Sequence, residues 1–211
     1  MDSSSKFLSD LEKAKRDINF EHTFREPQTA ALKAFYDSKD SICLLPTGGG
    51  KSVIYQITPF LAKYKLNSDS GLITIVISPL NAIMYDQVLK LTAKGIKACY
   101  VDMAAKSGHS FGLKKRNSSD IEDSDDSDQE NNNEPEKVHC NVSFKSIEKG
   151  DYNIIYCHPE ALLSTKQGQK LLNSSSFQKK VVCVAIDEAH MIQQWYVTKL
   201  NILVRAVPEI N

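Results

Sequence analysis

The sequence predicts an α/β sandwich, a mainly parallel sheet with helices on both faces. Short apolar runs rich in Ile and Val recur along the 211 residues, each bounded by polar punctuation. They hardly alternate, which is how strands buried on both faces read. Helical stretches lie between them, and strand–helix alternation places helices against a parallel sheet.

The elements follow in order. Residues 7–20 read as a short amphipathic helix, with Phe7, Leu8, Leu11, Ala14 and Ile18 at helical spacing. A second helix starts at Pro27, a favoured first-turn residue, and carries Ala30, Ala31, Ala34 and Phe35. Asp37-Ser-Lys-Asp40 is a turn. The expected strands are Ile42–Leu45, Leu72–Ile77, Ala98–Val101, Asn153–Cys157 and Val181–Ile186, and the helices between them are Ser52–Tyr64, Asn81–Lys94 and Ala161–Leu172. Residues 106–137 interrupt the pattern. Ser, Asp, Glu and Asn dominate there, too little apolar surface to offset the entropy of ordering, so the segment is expected to be a disordered loop insertion.

Composition bounds the function classes. Apolar residues make up 41% and charged residues 25%, ordinary values for a globular protein. No apolar run reaches the roughly 18 residues of a membrane-spanning helix, and the N-terminus has no apolar signal region. Five scattered cysteines without a C-x-x-C pair give little support to a disulfide framework or a cysteine zinc site. The formal net charge of zero hides an asymmetry. Residues 116–136 hold nine of the 26 acids and only Arg116 of the 26 bases, which leaves 17 acids and 25 bases elsewhere. A basic body of this kind attracts a polyanion.

Two motifs carry chemistry. Leu44-Leu-Pro-Thr-Gly-Gly-Gly-Lys-Ser52 follows an expected strand and opens an expected helix. Glycines turn the backbone so that its N–H groups face phosphate oxygens, and the helix N-terminus adds partial positive charge. Lys51 is placed to reach the terminal phosphates and Ser52 to ligate magnesium. Leu45 stands where the general pattern has its first glycine, and Thr47-Gly48-Gly49-Gly50 supplies the turn instead. The second motif, Asp187-Glu-Ala-His190, ends the buried run Val181–Ile186. Acids at the C-terminal edge of a parallel strand sit where such sheets bind ligands. Asp187 is placed to hold magnesium, and Glu188 to orient or deprotonate an attacking water.

Together P-T-G-G-G-K-S and D-E-A-H resemble superfamily-2 helicases, and further segments narrow the resemblance to the RecQ family of DNA helicases. Phe24-Arg-Glu-Pro-Gln28 resembles that family's F-R-x-x-Q, which implies that Arg25 and Gln28 read adenine. Ser52-Val-Ile-Tyr-Gln56 is similar to S-x-x-Y-Q. Val76–Val88 resembles V-x-S-P-L-x-x-L-M-x-D-Q-V, a segment bordering the single-strand track, which implies roles for Ser78, Pro79, Asp86 and Gln87. Tyr156-Cys-His-Pro-Glu160 resembles Y-x-x-P-E, and Asp187–Trp195 resembles D-E-A-H-C-I-S-Q-W, the start of an aromatic-rich loop. The last match implies that His190 and Trp195 help to couple DNA binding to hydrolysis. Tyr55 and Tyr85 read as packing or surface residues, and His109, His139 and His158 form no metal spacing.

The resemblance implies a RecA-like P-loop NTPase lobe that uses ATP and Mg2+, works on single-stranded and forked duplex DNA with 3′ to 5′ polarity, and resides in the nucleus. Residues 1–22 are expected to be a helical lead-in and 23–211 the ATP-binding lobe. A second lobe with its arginine finger is expected to be absent from these residues, and no membrane partner is expected. The acidic insertion is a candidate contact for protein partners. After Trp195 the chain reads Tyr196-Val-Thr-Lys-Leu200, where the family continues with Gly, His, Asp, Phe and Arg. This departure leaves an alternative, a truncated non-catalytic product that binds nucleotide or a partner. In either case the chain alone is expected to turn over slowly.

Overall fold

The computed structural model describes residues 3–46, 48–103, 138–140 and 142–188. Thr47, the insertion 106–137, His190 and Trp195 lie outside the described residues.

The chain opens with three helices, α1 (Ser3–Asp17), α2 (Glu26–Tyr36) and α3 (Lys51–Leu66). Strand β1 (Ile73–Ile77), helix α4 (Asn81–Ala93), β2 (Ala98–Met103) and β3 (Val138–Cys140) follow. Then come α5 (Phe144–Lys149), β4 (Ile154–Cys157), α6 (Pro159–Leu163), α7 (Lys166–Leu172), α8 (Ser175–Gln178) and β5 (Val181–Ile186). The sheet order is β3-β2-β4-β1-β5. β2, β4, β1 and β5 are parallel, and the short β3 pairs antiparallel to β2. The α/β architecture with a parallel sheet is therefore the one the Ile- and Val-rich runs predict.

Strand alternation divides the core between the two faces. Ile73, Ile75 and Ile77 point to one face with Ile155, Cys157 and Cys99, and meet Ile147, Leu162, Leu171 and Phe177 of α5–α8. Val76, Ile154, Tyr156 and Ala98 point to the other, against Leu32, Tyr55, Ile57, Leu61, Met84 and Val88 of α2–α4. α1 belongs to that second core. Phe7, Leu11, Ala14 and Ile18 are buried in it, so residues 1–22 share the lobe's hydrophobic interior.

Register sets the functional edge. Ile77 pairs with Cys157 on one side and Ile186 on the other. The residues that follow, Ser78, His158 and Asp187, therefore leave the sheet side by side. The Ser78 N–H donates to the Cys157 carbonyl at 3.0 Å, and the Asp187 N–H to the Ile77 carbonyl at 2.9 Å.

Two expectations need correction. Ile42–Leu45 is not a strand among the described residues. It runs without ladder partners, and Ile42 and Leu44 are each 90% exposed. Strand identity is a tertiary property, and β1 alone flanks β5 in the described sheet. The helix expected over Ala161–Leu172 is two helices. The Thr165 hydroxyl donates to the Ala161 carbonyl at 2.6 Å and accepts from the Gly168 N–H at 3.0 Å, which caps a new start. Helices α5 and α8 and strand β3 were not anticipated.

Candidate functional site

The phosphate loop runs into α3 through Gly50, whose φ of +77° is open to glycine at little cost. A side chain there would also collide with Gln28, since a Cβ would lie 2.5 Å from its Nε2. The loop is closed by the Gly49 N–H donating to the Pro46 carbonyl at 2.9 Å. The Lys51 ammonium donates to the carbonyls of Leu45 and Pro46 at 3.2 and 3.4 Å, so it folds back over the approach to the loop. Gly48, Gly50 and Lys51 are solvent-accessible while Gly49 is buried.

Gln28 braces this loop. It is only 5% exposed. Its Oε1 accepts from the Arg25 N–H at 2.8 Å, which ties down the first turn of α2. Its Nε2 donates to the carbonyls of Gly49 and Gly50 at 3.2 and 3.1 Å. Both amide hydrogens are thus used on the loop, and reading a base edge requires them to exchange partners. Arg25 is exposed beside it, and Phe24 anchors the segment by stacking on Phe20 at 4.7 Å.

At the end of β5, Asp187 faces α3. Its Oδ2 accepts from the Tyr55 hydroxyl at 3.2 Å, and its Oδ1 accepts from the Glu188 N–H at 3.1 Å. Glu188 has φ of +54°, a left-handed conformation uncommon for a side chain of its size. The structure thus brings Asp187 to the same helix that starts with Lys51 and Ser52. Ser52 lies one turn before Tyr55 on that helix. Burial, with the neighbouring Tyr156 and Asp187, pushes the Tyr55 phenol far above its ordinary pKa, so it remains a donor. Tyr156 is pushed up to about 12, chiefly by burial.

Sequence reasoning took Tyr55 for packing and missed its role. Ser52, Tyr55 and Gln56 lie three and four residues apart on one helix, which places them on one face. That spacing was the available signal. Pro59 adds to it. Lacking an N–H, it leaves the Tyr55 carbonyl without its usual partner, and the Thr58 hydroxyl donates there at 2.8 Å.

Ser78 and Pro79 lie at the adjacent strand end. The Ser78 side chain is fully buried, and its Oγ has no hydrogen-bond partner among the described residues. It sits just ahead of α4, whose first turn has no side-chain cap. Asp86 and Gln87 are both on α4. Asp86 is exposed and pairs with Lys90 at 2.6 Å, while Gln87 turns inward to Gln56. His158 Nδ1 lies 2.5 Å from Glu160 Oε2 at the end of β4. One acid, Asp187, and one hydroxyl residue, Ser52, thus flank Tyr55, and among the described residues no three His, Cys, Asp or Glu form a metal-binding group.

This arrangement, a glycine loop at a helix N-terminus facing an acid at a parallel strand end, defines a P-loop nucleotide-binding class. Residues 25–210 match the DEAD/DEAH box helicase family, and the chain belongs to that family. It is 36% identical over 172 residues to ATP-dependent helicase wrn-1 of Caenorhabditis elegans, and 31% identical over 173 residues to ATP-dependent DNA helicase RecQ of Bacillus subtilis. Each match covers 82% of this chain but only 12% and 22% of those proteins. The chain thus spans about a fifth or less of the relatives it matches. A crystal structure of a hypothetical ATP-dependent RNA helicase from Sulfolobus tokodaii aligns with a TM-score of 0.51 at 18% identity, over 94% of this chain and 46% of that one. That likeness concerns the fold.

Proposed function

We propose that this chain is the ATP-binding lobe of a RecQ-type ATP-dependent DNA helicase. The observation that carries the reading is the convergence on Tyr55. Tyr55 sits one turn after Ser52, at the phosphate loop, and its hydroxyl bonds Asp187, at the end of β5. Residues 132 positions apart are thereby held as one site.

In this reading the loop N–H groups and Lys51 bind the phosphates, and Glu188 orients the attacking water. Arg25 and Gln28 face the base. A carboxylate from Asp187 and a hydroxyl from Ser52 are hard oxygen donors, a set that suits Mg2+. When bound there, Mg2+ would offset charge on the transferring phosphoryl group. The DNA side is the neighbouring strand edge. The uncapped N-terminus of α4 offers N–H donors to a backbone phosphate. Single-stranded and forked DNA are the proposed substrates, with 3′ to 5′ movement.

The test is a titration of residues 1–211 with a fluorescent ATP analogue. Lys51→Ala removes a charge-assisted contact worth about 1.5–3 kcal/mol, so affinity should fall roughly 10- to 150-fold with the melting temperature preserved. Equal affinity in the two proteins would overturn the reading.

A further inference from the structure

Half-buried hydrogen bonds gather around the Tyr55 and Tyr156 rings. Gln56 Nε2 donates to Gln87 Oε1 at 2.9 Å and to the Tyr156 hydroxyl at 3.0 Å. The Tyr156 and Tyr55 rings meet edge-to-face, with centroids 6.3 Å apart. The Tyr55 hydroxyl reaches Asp187. Four elements contribute: α4 gives Gln87, α3 gives Gln56 and Tyr55, β4 gives Tyr156, and Asp187 follows β5.

The donors are ordered by chemistry. A carboxylate can only accept, so the single Tyr55 proton belongs to Asp187. The Tyr156 oxygen accepts from Gln56. Each hydroxyl thus has a bonded partner, and the contact of the two rings joins the pairs. Packing alone does not call for this. Tyr156 is fully buried and Tyr55 nearly so, and phenylalanine at both positions would fill the same space without polar groups to satisfy. Buried networks of this sort fix one geometry when complete and lose it together when one member is removed.

We propose that Tyr55 is a positioning residue for Asp187, and that its ring contact with Tyr156, which Gln56 ties to Gln87, links the α4 surface to the acid at the nucleotide site. This rests on the nucleotide-binding function proposed above. Tyr55 touches neither phosphate nor base in this arrangement; it acts through Asp187. Engagement of α4 by a polynucleotide would shift Gln87 and be felt at Asp187.

The experiment measures fluorescent ATP-analogue binding to the full 211-residue chain, with and without Mg2+, and with and without a single-stranded oligonucleotide. The magnesium-dependent gain in affinity is the readout. Tyr55→Phe should reduce that gain about three- to tenfold, the worth of one buried hydrogen bond. Gln56→Leu should leave more of the gain but diminish the oligonucleotide's influence on it. In the double variant the two effects should not add, because one cluster of touching side chains carries both. Tyr156→Phe, which keeps the ring and cuts the middle link, should reproduce Gln56→Leu. The proposal is overturned if Tyr55→Phe weakens binding equally with and without magnesium, if it changes neither, or if the variants add. Failure of the underlying reading looks different: the wild-type chain would then bind no nucleotide, or Lys51→Ala would bind as well as wild type.

Discussion

Against one face of the sheet, α1–α4 bury polar side chains among the apolar ones: Asp10, Gln28, Thr58, Thr74 and Ser78. Asp10 accepts from the Tyr36 hydroxyl at 2.8 Å, and the Thr58 and Thr74 hydroxyls meet at 2.6 Å. Against the other face, α5–α8 present Ile147, Leu162, Leu171 and Phe177. Thr165, a buried polar residue described on that side, bonds within its own turn. A buried polar group needs a placed partner, whereas an apolar one needs only volume. The polar face is the one beneath the phosphate loop and Asp187. Its hydrogen bonds aim side chains, and the opposite face coheres chiefly by apolar packing.

The sharpest way to break this comparison is Phe177→Ala. The residue is almost fully buried on the apolar face. Its loss should cost about 3–5 kcal/mol of stability by urea unfolding. Nucleotide affinity of the protein that remains folded should not change. A specific loss of affinity would show that the faces are not divided in this way.

Gln28→Ala tests the polar face. It deprives the Arg25 N–H of its acceptor and the Gly49 and Gly50 carbonyls of their donors. Stability should fall by about 1–3 kcal/mol, and the preference for ATP over GTP and CTP should shrink in a competition titration. Lost stability with full discrimination would make Gln28 a brace alone.

The smallest effect is alkaline. Folding raises the Tyr156 phenol from 10.0 to about 12, chiefly through burial. Between those values the unfolded chain releases a proton that the folded chain keeps, so this contribution is intact below pH 10 and is lost as pH rises toward 12. The slope should reach about 1.4 kcal/mol per pH unit. Unfolding midpoints at pH 9, 10 and 11 should decline less steeply in Tyr156→Phe. An unaltered slope would mean that Tyr156 is not the group responsible.

The four parallel strands were legible because their residues are apolar on both faces, and that signal is local. β5 was read to the residue, Val181–Ile186. Ile42–Leu45 carries the same composition but has no ladder, because pairing depends on neighbours distant in sequence. The break at Thr165 was readable in principle as a capping residue, yet the apolar spacing ran across it. Lys51, Ser52 and Asp187 were found by motif and context. The Tyr55–Asp187 bond joins positions 132 apart, and no local pattern reports such a contact. Gln28 was assigned to adenine by resemblance, and its use of both amide hydrogens on the loop needed coordinates.

The unladdered approach to the phosphate loop has a mechanical consequence. A loop between a laddered strand and a helix is clamped at both ends. Here residues 39–46 carry no regular structure, and the stretch ends in carbonyls gripped by Lys51. The upstream end is a slack strap, and tension on the loop is set by two side chains, Lys51 and Gln28. When Lys51 turns toward a phosphate it releases the strap, so occupancy of the site and the reach of the strap become one adjustment. Amide exchange over residues 41–45 would report it, fast in the free chain and faster still once nucleotide draws the lysine away.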